Sequence, residues 1–582
     1  MRVNMKHFAI AAALLAAVGT AVSAESRNDE MATLSAIRHE GLQSSLVMDH
    51  LGWLADVYGP RLTGTPGLRA ASDWAMERWR GWGLTLVQRE HFRFGEGWEL
   101  KKTQLRLLDP QPMQIIAYPI GWTPGTAGEI EAEVVYAPLA TEQDLERWSG
   151  KLSGKIVLIQ PARKVEPVTL PLMHRYTDEQ LQELQTENPI PRQWRIDAPA
   201  AETGSGPPPL GLYSYLDSRE VNVARDALIA FLKREGVVAV LERGADTAVR
   251  SAAGGELIAQ RTQRVDGGTV FLPTSLPGLN NQQRLLPWLV VAVEQYNRMV
   301  RLSERGIKMT AAIDVEVTWH AEQEPGNGIN TLGEIAGSDL KEEIVMLGAH
   351  MDGPHSASAA VDNGAGSAVV MEVARLLMRV GAKPRRTIRF ALWGGEEQGV
   401  IGSHAYVDRH LGDAAVGPPY RRQACRMSAY FNLDNGSGRI RGLFAHHNIG
   451  ALAELTRWIQ PLRDLGVTAI VPRATQGGRV GSKFTSGSDH LPFDALGIPV
   501  LEPVQDRLDY FSRTAHSNMD YLDRAAPDEM VQAAVVLASL VYQASMSDQQ
   551  LPRRLIPTPL GSDPQQALPP NKRFGPQECS HD

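Results

Sequence analysis

Cysteine is nearly absent. The 582 residues hold two, Cys425 and Cys579, which excludes a disulfide-stapled scaffold and any thiolate zinc cluster and leaves room for a single bridge. A dominant charge of one sign is lacking too: 59 Lys+Arg stand against 66 Asp+Glu, a balance of −7 that suits neither a nucleic-acid binder nor a polyanion. The chain contains no Gly-x-Ser-x-Gly and no His-Glu-x-x-His, which removes the serine-hydrolase elbow and the mononuclear zinc-protease helix. Gly and Pro, at 53 and 37, stay below low-complexity levels, and 43% hydrophobic content supports large interiors. The length implies two or three domains.

Long apolar runs are scarce. The most prominent follows the basic start Met1 to His7 and extends from Phe8 to Val18, before the small residues Val22-Ser23-Ala24. This is the layout of an export signal peptide, residues 1–24, cleaved after Ala24. The run is shorter than the roughly 20 residues a membrane span needs. No later stretch reads as long and apolar enough to span, so the mature protein is expected to be secreted or periplasmic.

Residues 31 to 90 carry helical spacing, with Leu42, Leu46, Val47, Leu51 and Leu54 on one face, a break at Pro60 to Gly64, and a second helix from Leu68 to Trp82. From about 124 the texture becomes β-rich. Ile130, Ala132 and Val134 alternate with Glu129, Glu131 and Glu133, and strands are expected at Lys155 to Ile159, Val237 to Leu241 and Leu289 to Val293. Beyond about 327 strands and helices alternate. Strands are expected at Ile344 to Leu347, Thr387 to Trp393, Ser428 to Leu433 and Ile498 to Val504, with an amphipathic helix from Ser367 to Val380. The expected fold class is α/β, an open mixed sheet with helices on both faces and an inserted β-rich module. The expected boundaries are 25–123 for an N-terminal part of the catalytic unit, 124–320 for the insert, 321–548 for the catalytic unit, and 549–582 for an extended tail.

In open α/β sheets the functional crevice lies beyond the C-terminal strand ends. Those ends carry acids and histidines: Ala349-His350-Met351-Asp352, Val361-Asp362-Asn363-Gly364, Gly395-Glu396-Glu397, Asn432-Leu433-Asp434 and Ala515-His516. Each alone reads as ordinary, a Glu-Glu pair as solvated surface and Asp-Asn-Gly as a turn. Jointly, after successive strands of one unit, they read as a metal cage, because converging carboxylates resist ionisation unless cations neutralise them. Two imidazoles and three carboxylates suit zinc, with cobalt or manganese also admitted by ligand type. Two divalent ions, about +4, balance roughly −3 from Asp362, Glu397 and Asp434 and −1 from a hydroxide. Asp352, two residues from His350, is placed to accept the second imidazole N–H. Glu396, beside Glu397, is left free to accept the proton of the attacking water. His355, His404, His410, His446 and His447 lack comparable context and read as surface or packing residues.

These residues resemble the co-catalytic dizinc exopeptidase family that includes bacterial leucyl aminopeptidases, glutamate carboxypeptidases, carboxypeptidase Q and the transferrin receptor. The likeness covers Asn327 to about Asp523. It implies that His350 and Asp434 hold one zinc, that Glu397 and His516 hold the other, and that Asp362 bridges them. Asp352 matches the orienting acid, Glu396 the general base, and Gly487-Ser488-Asp489-His490 a further signature near the cleft. Gly59-Pro60-Arg61-Leu62-Thr63-Gly64-Thr65 resembles the family's N-terminal segment. The block from 124 to 320, with Gly154-Lys155-Ile156-Val157-Leu158-Ile159, resembles a protease-associated domain.

The expected activity is hydrolysis of a terminal peptide bond with two Zn2+ per chain and a peptide substrate, without nucleic acid. A glutaminyl cyclase of the same superfamily and a non-catalytic receptor-like protein are the rivals; all five ligands being present argues against the second. Whether the free amine or the free carboxylate is read stays open, as does oligomeric state, a homodimer included.

Overall fold

The computed structural model describes residues 29–163, 165, 171–186, 225–243, 248–250, 257–260, 268–272, 286–413, 420–472 and 488–553. The expected signal peptide, the proline-rich segments at 189–192 and 204–209, Gly487 and most of the tail fall outside these residues.

The first sheet has eight strands among the described residues. Their spatial order is Thr85–Phe92, Gly328–Ile335, Arg386–Trp393, Leu340–His350, Met427–Asn432, Val500–Gln505, Ile440–Phe444 and Ala469–Val471. The four central strands from Arg386–Trp393 to Val500–Gln505 are parallel. They read as near-continuous apolar runs because both of their faces are covered. One face packs on the helices Ala365–Arg379 and Pro527–Met546 through Val345, Leu347, Val370 and Val541. The other packs on Ile401–His410 and Leu491–Ala495, where Tyr430 stacks on Phe493 at 4.2 Å between ring centroids. The mixed sheet with helices on both faces is therefore present as expected.

The helix expected from Leu68 to Trp82 forms as Pro66–Trp82. Proline opens its first turn and Gly83, at φ 93°, accepts the left-handed conformation that ends it. The helical reading up to residue 90 fails beyond that glycine. Thr85–Phe92 is an edge strand paired antiparallel with Gly328–Ile335, a partner so distant in sequence that local spacing carries no trace of it.

A second eight-stranded mixed sheet runs Met113–Ile115, Gly97–Asp109, Met309–His320, Ile130–Tyr136, Ile156–Leu158, Ala239–Glu242, Trp288–Val291 and Ala117–Pro119. Its opening strand, Gly97–Asp109, pairs antiparallel with its closing one, Met309–His320. The second sheet thus begins at Gly97, inside the segment 25–123 expected to belong to the catalytic unit. The alternation that marked 124 as a boundary belongs to an inner strand. Separate apolar cores cover its two faces.

The expectation that no later stretch could span a membrane meets one exception. Pro527–Met546 is long and apolar enough by length and composition, with mean hydropathy 1.2, yet 89% of that stretch is buried within the fold. It is all-round apolar because it is a core helix. Cys425 is disulfide-bonded; Cys579, the only other cysteine, lies outside the described residues.

One buried cation organises the approach to the strand ends. Arg61, fully buried, donates from Nε to Met351 O (2.7 Å), from Nη1 to Leu54 O (2.6 Å) and Ser358 O (3.0 Å), and from Nη2 to Ala359 O (2.7 Å). Burial pulls its pKa down to about 10, with Asp520 and Asp352 opposing, so it stays charged at neutral pH. Its fork fixes the loop from His350 to Asp362. Replacing it leaves several carbonyls without donors, each worth roughly 1–3 kcal/mol if unsatisfied. Arg61→Leu should therefore cost about 3 kcal/mol or more, read from urea midpoints; a loss below about 1 kcal/mol would remove the staple role.

Candidate metal centre

Four loops leave the C-terminal edge of the first sheet together. Leu340–His350 ends on His350 itself, and Met427–Asn432 is followed by Asp434. Asp362 lies in the turn Ala360–Gly364 that feeds the helix Ala365–Arg379, and His516 follows the turn Tyr510–Thr514 beyond Val500–Gln505. Arg386–Trp393 reaches Glu396 and Glu397 through two glycines. A Cβ on Gly394 would stand 2.5 Å from Ile329 O, so only glycine lets the chain cross there.

The five expected ligands converge. His350 Nε2 lies 3.3 Å from Asp434 Oδ1 and 3.6 Å from Asp362 Oδ1. His516 Nε2 lies 3.2 Å from Glu397 Oε2 and 3.4 Å from Asp362 Oδ2. Two three-residue groups result, His350/Asp362/Asp434 and Asp362/Glu397/His516, each with its donor atoms within 4.8 Å of one another. Asp362 belongs to both and turns a different oxygen to each. Glu396 belongs to neither, and its Oε2 stands 4.0 Å from His350 Nε2.

Asp352 is placed differently from expectation. His350 Nδ1 faces the backbone carbonyl of Asp352 at 2.9 Å, while the Asp352 carboxylate is 3.6 Å away. That carboxylate instead accepts the backbone N–H groups of Glu396 (3.2 Å) and Glu397 (3.3 Å) and the Thr63 hydroxyl (3.0 Å). The Thr63 oxygen also accepts from Gly395 N at 3.0 Å. The carbonyl orients the imidazole, and the carboxylate orients the two glutamates.

Three supports went unread in the sequence. Asp520 accepts from Val361 N (2.6 Å) and Asp362 N (2.9 Å), fixing the backbone of the shared carboxylate. Burial and the nearby Asp362 push the Asp520 pKa up to about 8. The His-x-x-x-Asp spacing from His516 was its available signal. The Tyr510 hydroxyl reaches the Asp362 carboxylate, and Ser367 Oγ donates to His350 O at 2.7 Å. Of the histidines read as surface or packing, His355 is a packing residue, bonded to Pro119 O at 2.7 Å and edge-on to Trp98. His446 is buried as well, with Nε2 2.9 Å from Glu502 Oε2.

The electrostatics fit a cation cage. Burial first, then Asp362, drives Glu397 well above the ordinary carboxylate range. Burial, with Asp434 and Glu397 adding and His350 opposing, does the same to Glu396. Burial disfavours charge on His350, yet Asp434 and Glu396 hold its pKa well above the usual value. Such a group holds protons where carboxylates crowd, and divalent cations would replace those protons. The mixed N/O donor set with both imidazole Nε2 atoms turned inward matches zinc in type and spacing.

Residues 330–541 match Peptidase family M28. Carboxypeptidase Q of Mus musculus is 24% identical over 508 residues, 87% of this chain and 87% of that protein. Aminopeptidase YwaD of Bacillus subtilis (strain 168) is 24% identical over 321 residues, 53% of this chain and 63% of that one. Among solved structures, a peptidase M28 precursor from Shewanella amazonensis SB2B shares the fold at a TM-score of 0.59 and 21% identity, covering 91% of this chain and 100% of that one.

Removing the shared carboxylate should weaken both groups at once. Asp362→Ala, loaded with Zn2+ and desalted, should retain fewer equivalents than the parent by elemental analysis; unchanged stoichiometry would remove the sharing role. Chelator treatment of the parent should lower its melting temperature, and added Zn2+ should restore it.

Proposed function

We propose that the chain, whose residues 330–541 match Peptidase family M28, is a zinc-dependent exopeptidase that hydrolyses a terminal peptide bond at two cations sharing Asp362. The carrying observation is the division of the Asp362 carboxylate, with Oδ1 toward His350 and Oδ2 toward His516. His350 and Asp434 would hold one ion, and Glu397 and His516 the other. Bound zinc supplies Lewis acidity at a carbonyl oxygen and lowers the pKa of water.

The chain's own residues do the rest. Glu396 stands beside both groups without belonging to either, where its carboxylate can take the proton of the attacking water and return it to the leaving amine. Asp352 holds the backbone of Glu396 and Glu397 at fixed separation, which keeps the proton acceptor and the ligand from exchanging roles. Tyr510 and Asp520 hold Asp362 from its side chain and its backbone. Export after loss of residues 1–24 completes the reading; the disulfide-bonded Cys425 accords with an oxidising compartment.

A panel of dipeptides and longer peptides, blocked at neither, one or both ends, tests the exopeptidase reading. Cleavage should require at least one free end, and turnover of peptides blocked at both ends would overturn it. Release of pyroglutamate from Gln-terminal peptides, without hydrolysis, would support the cyclase alternative. Glu396→Gln should keep fold and zinc content but lose about 10²–10⁴-fold in kcat; a kcat near the parent's would displace Glu396 as the base.

A further inference from the structure

A second histidine–carboxylate cluster lies apart from the five ligands. Glu502 sits in the strand Val500–Gln505, and its antiparallel partner in register is Phe444, at the end of Ile440–Phe444. His446 follows that strand end by two residues. His490 comes from a third place, immediately before the helix Leu491–Ala495. Glu502 Oε2 lies 2.9 Å from His446 Nε2, and Oε1 lies 3.3 Å from His490 Nδ1. The imidazole centroids are 4.9 Å apart, and the three donor atoms all fall within 4.8 Å of one another. All three residues are at most 5% exposed.

The His490–Glu502 separation falls within the 3.2 to 3.6 Å range of the centre already described, and the His446–Glu502 separation is shorter at 2.9 Å. A tetrahedral ion with bonds of about 2.0–2.1 Å sets neighbouring donor atoms about 3.3 Å apart, which is the His490–Glu502 separation. His446 and His447 occupy left-handed backbone conformations at φ 46° and 63°. Non-glycine residues hold such angles where their surroundings over-determine them.

We propose that His446, His490 and Glu502 form a separate divalent-cation site of the zinc class. Two imidazoles and one carboxylate favour zinc, and among other first-row ions cobalt or nickel, over calcium or magnesium, which take oxygen ligands. Its role is structural. The ion joins the end of one strand, the middle of its neighbour and the turn that carries Asp489. Asp489 is fully buried, and its carboxyl lies within electrostatic reach of Asp434 and His350, so the cation fixes one wall of the first centre.

The test is a count of tightly held Zn2+ on the full mature chain, stripped, reloaded with Zn2+ alone and desalted. Glu502→Gln, which preserves shape, should retain one equivalent fewer than the parent while keeping its circular-dichroism spectrum. Asp362→Ala should retain the equivalent that Glu502→Gln loses, so adding Glu502→Gln to it should remove one more. With Co2+ in place of Zn2+, the Asp362→Ala protein should show a visible d–d band that the double variant lacks. His446→Gln serves as the second variant should Glu502→Gln fold poorly. Equal zinc content in parent and cluster variants would overturn the proposal and leave a carboxylate hydrogen-bonded between two imidazoles. The Asp362 result is scored separately, so failure of this site and failure of the first centre are distinguishable.

Discussion

A buried carboxylate facing two imidazoles in opposite directions is the constraint around which the catalytic half of the molecule is arranged. Asp362 lies at 2% exposure with His350 on one oxygen and His516 on the other. Burial raises the cost of its charge, and the two histidines pull its pKa back down. Around it Glu396, Glu397 and Asp434 add further negative charge in a region with little water. Such a cluster is stable only when something positive is shared among its members. Protons on the imidazoles and glutamates can do this; divalent cations do it with more charge and with directional bonds. The same repulsion that makes the bare cluster costly would thus be the origin of an affinity for cations.

Holding that carboxylate takes contributions from every part of the catalytic fold. Arg61, far away in sequence, ties down the loop between His350 and Asp362 by its carbonyls. Asp520 grips the two backbone N–H groups at Val361 and Asp362. Asn363 Nδ2 donates to Leu433 O at 2.8 Å, linking this turn to the one that presents Asp434. The glutamates are set by Asp352, which is itself held by Thr63. The segment from Gly59 to Thr65 therefore acts on the centre twice, through Arg61 on one loop and Thr63 on another.

The sequence made the strand ends legible because a parallel central strand is a continuous apolar run, and its end is wherever the acids begin. Ile344 to Leu347 and Thr387 to Trp393 are of that kind, and His350, Asp362 and Glu397 come after them, with Asp434 and His516 beyond two further strands. Pairings over long separations left no local sign: Thr85–Phe92 passed for helix, and the partner of Gly97–Asp109 lies beyond residue 308. Side-chain direction was the other blind spot. Spacing by two put Asp352 on the same side as His350, but the chain has left the strand by then, and the carboxylate points to the amides of Glu396 and Glu397. His446 looked isolated because its partners, His490 and Glu502, come from other elements.

The segment 268–272, between two strands of the second sheet in sequence, bears on the centre through backbone bonds. Leu272 N–H donates to His516 O at 2.9 Å, Asn518 N–H donates to Val270 O at 3.1 Å, and the Asn518 side chain accepts from Val270 N at 2.7 Å. His516 itself sits at φ 58°, a conformation that a non-glycine residue adopts at a cost. The short β-bridge between Phe271 and Ser517 lies next to that residue. A ligand in a strained conformation needs external restraint, and on this side the restraint comes from the inserted chain. An inert spacer would leave His516 free to relax. Because the insert hydrogen-bonds the ligand's own carbonyl, a displacement of this segment relative to the catalytic sheet would move Nε2 with respect to Glu397 and Asp362. The insert is therefore part of the centre's geometry, although it contributes none of the five ligands.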